Sequence, residues 1–111
     1  MTVTIYHNPR CTKSRQALAL IEEHGITPTV VDYLTTPPSV AELSAILAKL
    51  GKGPEQIMRK KEAREEGIAD LTGDELIAAL VTHPRAIERP IVVNGDKAAL
   101  GRPLENVLAI L

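Results

Sequence analysis

Apolar residues recur along the chain with two periods, and the switches between them mark its elements. Thr2–Tyr6 alternates around Val3 and Ile5, the period of two that a strand shows. From Thr12 to about His24 the period lengthens. Leu18 and Ile21 lie three apart and Ala17 and Ile21 four apart, so they share a helix face. Gly25 can close that helix in the left-handed conformation that glycine adopts most cheaply. Thr29–Tyr33 reads as a second strand. Ser39 and Glu42 have capping-box spacing and open a helix on which Val40, Leu43, Leu47 and Leu50 share a face, ahead of Gly51. A short helix is expected around Glu55–Lys60. Thr72 and Glu75 repeat the capping-box spacing before Leu76, Ile77, Leu80 and Val81, and Pro84 forbids much continuation. Ile91–Val93, the turn-forming Asn94-Gly95 and Lys97–Leu100 read as a hairpin with a type I′ turn. In Pro103–Leu111, the residues Leu104, Val107, Leu108 and Leu111 fall on one helical stripe.

The order is βαβ, three helices, then ββα. A βαβ unit joined through helices to an antiparallel hairpin and a last helix is the thioredoxin-like order. The expected fold is α/β, a small mixed four-stranded sheet with flanking helices. One domain over residues 1–111 would carry a helical insertion at about 39–83. A chain of 111 residues can bury roughly two-thirds of the surface it exposes when unfolded. The core must be aliphatic, since Tyr6 and Tyr33 are the only aromatic residues.

Composition removes several function classes. A single cysteine cannot form an internal disulfide, which argues against a secreted disulfide scaffold. No run approaches the ~18 apolar residues of a spanning helix. MTVTIYHNPR lacks an apolar signal-peptide core, so a cytoplasmic location is expected. A net charge of −1 with few stacking residues argues against nucleic-acid binding. His7, His24 and His83 show no metal-ligand spacing, and no metal or bound cofactor is expected.

Cys11 falls where the first strand's loop turns into the first helix. Free backbone N–H groups and the positive end of the helix dipole converge there, favouring both a thiolate and a bound oxyanion. A thiol of pKa about 8.5 is only ~3% ionised at pH 7, and lowering its pKa by ~2 takes about 2.7 kcal/mol. A helix end supplies only ~0.3–1 kcal/mol, so a further cationic or hydrogen-bonding group is needed. His7, Arg10, Lys13 and Arg15 are the local candidates. A free cysteine can equally be a small buried hydrophobe. The polar, basic flanks Asn8-Pro9-Arg10 and Thr12-Lys13-Ser14-Arg15 favour the functional reading.

His7-Asn8-Pro9-Arg10-Cys11-Thr12-Lys13-Ser14-Arg15 resembles the H-N-P-x-C-x-x-S-R signature of ArsC-type arsenate reductases, the glutaredoxin-coupled kind. The resemblance continues in order through Tyr33–Pro38, Met58-Arg59-Lys60, Glu88–Val93 and Gly101-Arg102-Pro103. It is closest to the short YfgD-like branch, which lacks the C-terminal tail of the longer reductases. The resemblance implies a thioredoxin-like fold with Cys11 as nucleophile. It implies that Arg59, Arg89 and Arg102 bind the oxyanion, that His7 favours the thiolate, and that Pro90 is the cis-proline of such folds. Ser14 would hydrogen-bond the sulfur or the oxyanion, or only satisfy a backbone group in the helix's first turn. Arginine suits the task, because a planar guanidinium grips two oxygens of a dianion such as arsenate. Taken alone, Arg59 and the charged run to Glu66 also fit a solvated, salt-bridged helix surface, and His7 a structural loop histidine.

The expected partners are arsenate or a similar oxyanion, glutathione as co-substrate and glutaredoxin, with no membrane or nucleic acid, and the protein a monomer. Cys11-Thr12-Lys13-Ser14 is C-x-x-S with no second thiol in the chain, so the resolving thiol must come from another molecule. Two other classes share these residues. One is a glutathione-linked oxidoreductase acting on another substrate. The other is an Spx-like redox regulator that binds RNA polymerase, whose C-x-x-C switch is interrupted here by Ser14.

Overall fold

The period-two run at the N-terminus forms β1 (Val3–His7), with Val3, Ile5 and His7 buried on one face. The computed structural model describes residues 2–111. The chain divides into two compact units, one running up to Thr36 and resuming at Arg89–Leu111, the other Pro37–Glu88.

The first unit is built on a four-stranded sheet in the order β2-β1-β3-β4. The strands are β2 (Thr29–Asp32), β3 (Ile91–Asn94) and β4 (Lys97–Leu100) besides β1. β1 pairs parallel with β2 and antiparallel with β3, and β3 pairs antiparallel with β4. This is the thioredoxin-like arrangement that the element order implies. The C-terminal ends of β1, β2 and β4 therefore meet the N-terminal end of β3 at one end of the sheet. Ile5, Val92 and Ala99 stand in register and share a face. There Val3, Ile5 and Val92 pack with Ala17 and Ile21 of α1 (Thr12–Glu23) and Val107 of α5 (Glu105–Leu108).

The second unit is helical: α2 (Val40–Leu50), α3 (Lys60–Glu65) and α4 (Gly73–Thr82), with single 3₁₀ turns at Pro54–Gln56 and Pro84–Ala86. The Ser39–Glu42 capping box forms, with both reciprocal bonds at 3.0 and 3.1 Å, and Gly51 ends α2 in the left-handed conformation at φ 67°. Leu43, Ile46 and Leu47 are buried from α2, and Leu76, Ile77 and Leu80 from α4.

Several local expectations are corrected. The short helix expected at Glu55–Lys60 is divided, because Met58 pairs with Ile87 in an isolated bridge and α3 starts only at Lys60. Thr72 caps α4 without a side-chain bond, and the Gly73 N–H beside it donates to Glu55 Oε1 at 2.9 Å. Asn94 stays in β3 paired with Lys97, leaving Gly95-Asp96 as the loop. Of these two loop residues only Gly95 has positive φ, the glycine-first pattern of a type II′ turn rather than type I′. Val40 and Leu108 are about half exposed, and Ile110 joins Leu104 and Leu111 against the core instead.

Candidate active site

Cys11 is the N-cap residue of α1, in extended conformation and 9% exposed. Its loop is held by short local bonds. The Cys11 N–H donates to the Asn8 carbonyl at 3.0 Å, and the Arg10 N–H to Asn8 Oδ1 at 3.0 Å. The Asn8 N–H donates to Ser14 Oγ at 3.0 Å, and Ser14 Oγ lies 2.6 Å from His7 Nδ1. The Arg15 guanidinium donates to the Pro9 carbonyl at 2.9 Å and to Thr12 Oγ1 at 3.3 Å. The end of β1 and the first turn of α1 thus grip the loop between them.

Burial lowers the pKa of His7, outweighing the opposing pull of Asp32, with Arg15 adding to the lowering. The ring is neutral at neutral pH, so it offers the sulfur no full charge. Its contact is with Ser14 Oγ, and through it His7 positions the start of α1. Ser14 is fully buried; its hydroxyl joins His7 to Asn8, while its backbone N–H faces the sulfur.

Burial also pushes the Cys11 thiol up, but four groups more than reverse it. In order of effect they are the Ser14 N–H, the Arg89 charge, the Lys13 N–H and the Arg102 charge, and the net pKa is lowered. Arg102 Nη2 lies 3.7 Å from Cys11 Sγ, and its Nε donates to the Arg89 carbonyl at 3.0 Å. The arginines arrive through two X-Pro steps, and both Arg89-Pro90 and Arg102-Pro103 are cis. The Gly101 N–H donates to the Pro90 carbonyl at 2.9 Å. A Cβ on Gly101 would come within 2.6 Å of Pro90 Cγ, so only glycine lets the end of β4 close on Pro90 and bring Arg102 to the sulfur.

Cys11, His7, Ser14, Arg89, Pro90 and Arg102 all belong to the sheet unit, and Arg59 to the helical unit. Arg59 is the N-cap residue of α3, where its Nη2 pairs with Glu62 Oε2 at 2.8 Å. Among the described residues, no three His, Cys, Asp or Glu side chains gather as a metal site requires. Asn8 and Gly101 organise the site with no role read for them in the sequence, and Arg15, named there only as a cation that could act on the thiol, instead ties the loop to α1. For Asn8 and Gly101 the only signal there is position, inside the cysteine signature or between a strand and Arg102.

The family model for ArsC matches residues 6–110. The chain belongs to the ArsC family. It is 49% identical to an arsenate reductase of Neisseria meningitidis serogroup A, over 98% of this chain and 97% of that one. It is 48% identical to the uncharacterized protein YfgD of Escherichia coli K12, over 98% and 96%. A solved arsenate reductase of Vibrio cholerae shares 49% identity at a TM-score of 0.91, over 100% of this chain and 98% of that one. No helix among the described residues is long and apolar enough to cross a membrane.

In this ArsC protein the thiol, two backbone N–H groups and two guanidinium groups meet at one end of the sheet. Such a set stabilises a thiolate and offsets the repulsion that a nucleophilic anion meets when it approaches an anionic electrophile.

Proposed function

We propose that the protein is an arsenate reductase that uses glutathione, with Cys11 as its only nucleophile and glutaredoxin restoring it. The observation that carries this reading is the Arg102 guanidinium 3.7 Å from a buried cysteine sulfur whose pKa is lowered. The names of the Neisseria and Vibrio relatives point to the same oxyanion. Arg89 and Arg102 grip the arsenate oxygens. His7 and Ser14 keep the thiolate in position.

The Cys11 thiolate attacks arsenic(V), forming an S–As bond as one arsenate oxygen leaves as water after protonation. Glutathione attacks the adduct. The S–As bond breaks, a sulfur–sulfur bond forms, and two electrons pass from the sulfurs to arsenic, which leaves as arsenite. Cys11 remains as a mixed disulfide with glutathione. A glutaredoxin thiolate attacks the glutathione sulfur and releases the Cys11 thiolate, as the absence of a second cysteine requires. This chemistry belongs in the reducing cytoplasm, where the glutathione pool lies.

The test is NADPH consumption with arsenate, glutathione, glutaredoxin and glutathione reductase. Arsenate-dependent turnover is expected, and Cys11→Ser should reduce it to background. A Cys11 that reacts quickly with disulfides while arsenate drives no turnover would overturn the substrate and leave a glutathione-linked oxidoreductase of another kind.

A further inference from the structure

The β2 side of the Cys11 loop carries a groove of about 310 Å³ lined by Asn8, Pro9, Arg10, Asp32, Leu34 and Thr35. The Tyr33–Pro38 run contributes part of this wall, yet the reaction above gives that run no task. Asp32 shapes the wall: its Oδ1 accepts the Leu34 N–H at 3.2 Å, and its carbonyl accepts the Thr35 and Thr36 N–H groups at 3.1 and 2.8 Å. This turn leaves Leu34 38% exposed beside the groove while Tyr33 is buried. Arg10 is exposed and, among the described residues, forms no ion pair.

We infer that this groove seats glutathione, with Arg10 taking a carboxylate, Asp32 the γ-glutamyl ammonium, and Leu34 the apolar middle of the tripeptide. The inference rests on the reaction proposed above. Charge is the first argument. Glutathione carries two carboxylates and one ammonium, and the groove presents a cation and an anion. Arsenate is wholly anionic and is repelled by Asp32.

Topology is the second argument. β2 lies on one side of β1 and β3–β4 on the other. Arg89 precedes β3 and Arg102 follows β4, so the oxyanion is held on that side and the groove opens on the opposite one. A thiol approaching the adduct from the groove does not compete with the arginines. Reach is the third. An extended tripeptide spans about 10 Å, and Arg10, on the groove, is the residue next to Cys11 in the chain.

The probe is S-methylglutathione, which cannot form a disulfide, titrated into the isotope-labelled protein. Amide resonances of Arg10, Asp32, Leu34 and Thr35 should shift. In the coupled assay, Arg10→Ala and Asp32→Asn should each raise the KM for glutathione about tenfold, the scale of one charged hydrogen bond, with the KM for arsenate within about twofold. Asparagine keeps the oxygen that Leu34 needs, so the wall is retained. Shifts confined to residues outside the groove, or an unchanged glutathione KM in both variants, would overturn the assignment. If arsenate drives no turnover, the proposed reaction fails on its own, and the titration still decides whether the groove binds the tripeptide.

Discussion

The sheet unit and the helical unit both hold arginines, but in different company. Beside Cys11, Arg102 donates to the Arg89 carbonyl and Arg15 to the Pro9 carbonyl. In the helical unit carboxylates stand against the cations: Arg59 pairs with Glu62, and Arg85 with Glu65 and Glu66, while Arg59 also donates to the Arg85 carbonyl at 3.4 Å. A carboxylate that orients a guanidinium also opposes its charge, whereas a carbonyl only orients it. At the sulfur the charges that count are those of Arg89 and Arg102, since both lower its pKa.

The largest effect should come from exchanging arginines across this contrast. Arg102→Ala is expected to lower kcat/KM for arsenate about 100-fold, the scale of one lost transition-state contact. Activity rises with pH as Cys11 ionises, and without Arg102 that rise should move to higher pH. Arg85→Ala, which breaks only exposed ion pairs, should stay within about twofold. Equal losses in the two variants would break the comparison.

A smaller effect is expected at Glu62. Glu62→Gln removes the ion pair that Arg59 makes at the start of α3, and stability to urea should fall by about 1 kcal/mol or less. A much larger loss would mean that carboxylates in the helical unit do more than offset nearby charge.

The smallest effect concerns His7, whose burial makes it prefer the neutral form. Its folded pKa lies below the unfolded value of about 6.5, so the unfolded chain binds the proton first. Stability from this residue is complete above about pH 6.5 and is lost as pH falls from there through the folded pKa. Urea midpoints at about pH 7.5 and about pH 5 should differ less in His7→Gln than in the wild type. An identical drop in both would show that the acid sensitivity has another source.

Local signals in the sequence predict α1 and α2 well, down to the Ser39–Glu42 capping box and the left-handed Gly51. They fail where a distant group competes for a local one. The Asn94-Gly95 turn shifts by one residue, and Asn94 Nδ2 instead donates to the Ile110 carbonyl at 2.6 Å. The expected box at Thr72 does not form, and the first N–H of α4, that of Gly73, is met by Glu55, distant in sequence. Ser14 shows the same limit within the site. Its place after the cysteine is visible in the chain, but its bonding to His7 and Asn8 depends on β1 and α1 meeting.

The sequence by itself determined that one thiol stands at a strand-to-helix junction among polar and basic residues, and that no second thiol exists to resolve it. Both are local facts, carried by periodicity and by counting. Only the tertiary structure decided which charges reach that thiol. Arg102 is 91 residues from Cys11 and lies 3.7 Å from its sulfur. Antiparallel pairing of β3 with β1 and β4 brings those chain ends together, and Gly101 leaves room for them to close. The neutrality of His7 was decided in the same way, because burial, a property of the packed chain, sets the sign of its shift.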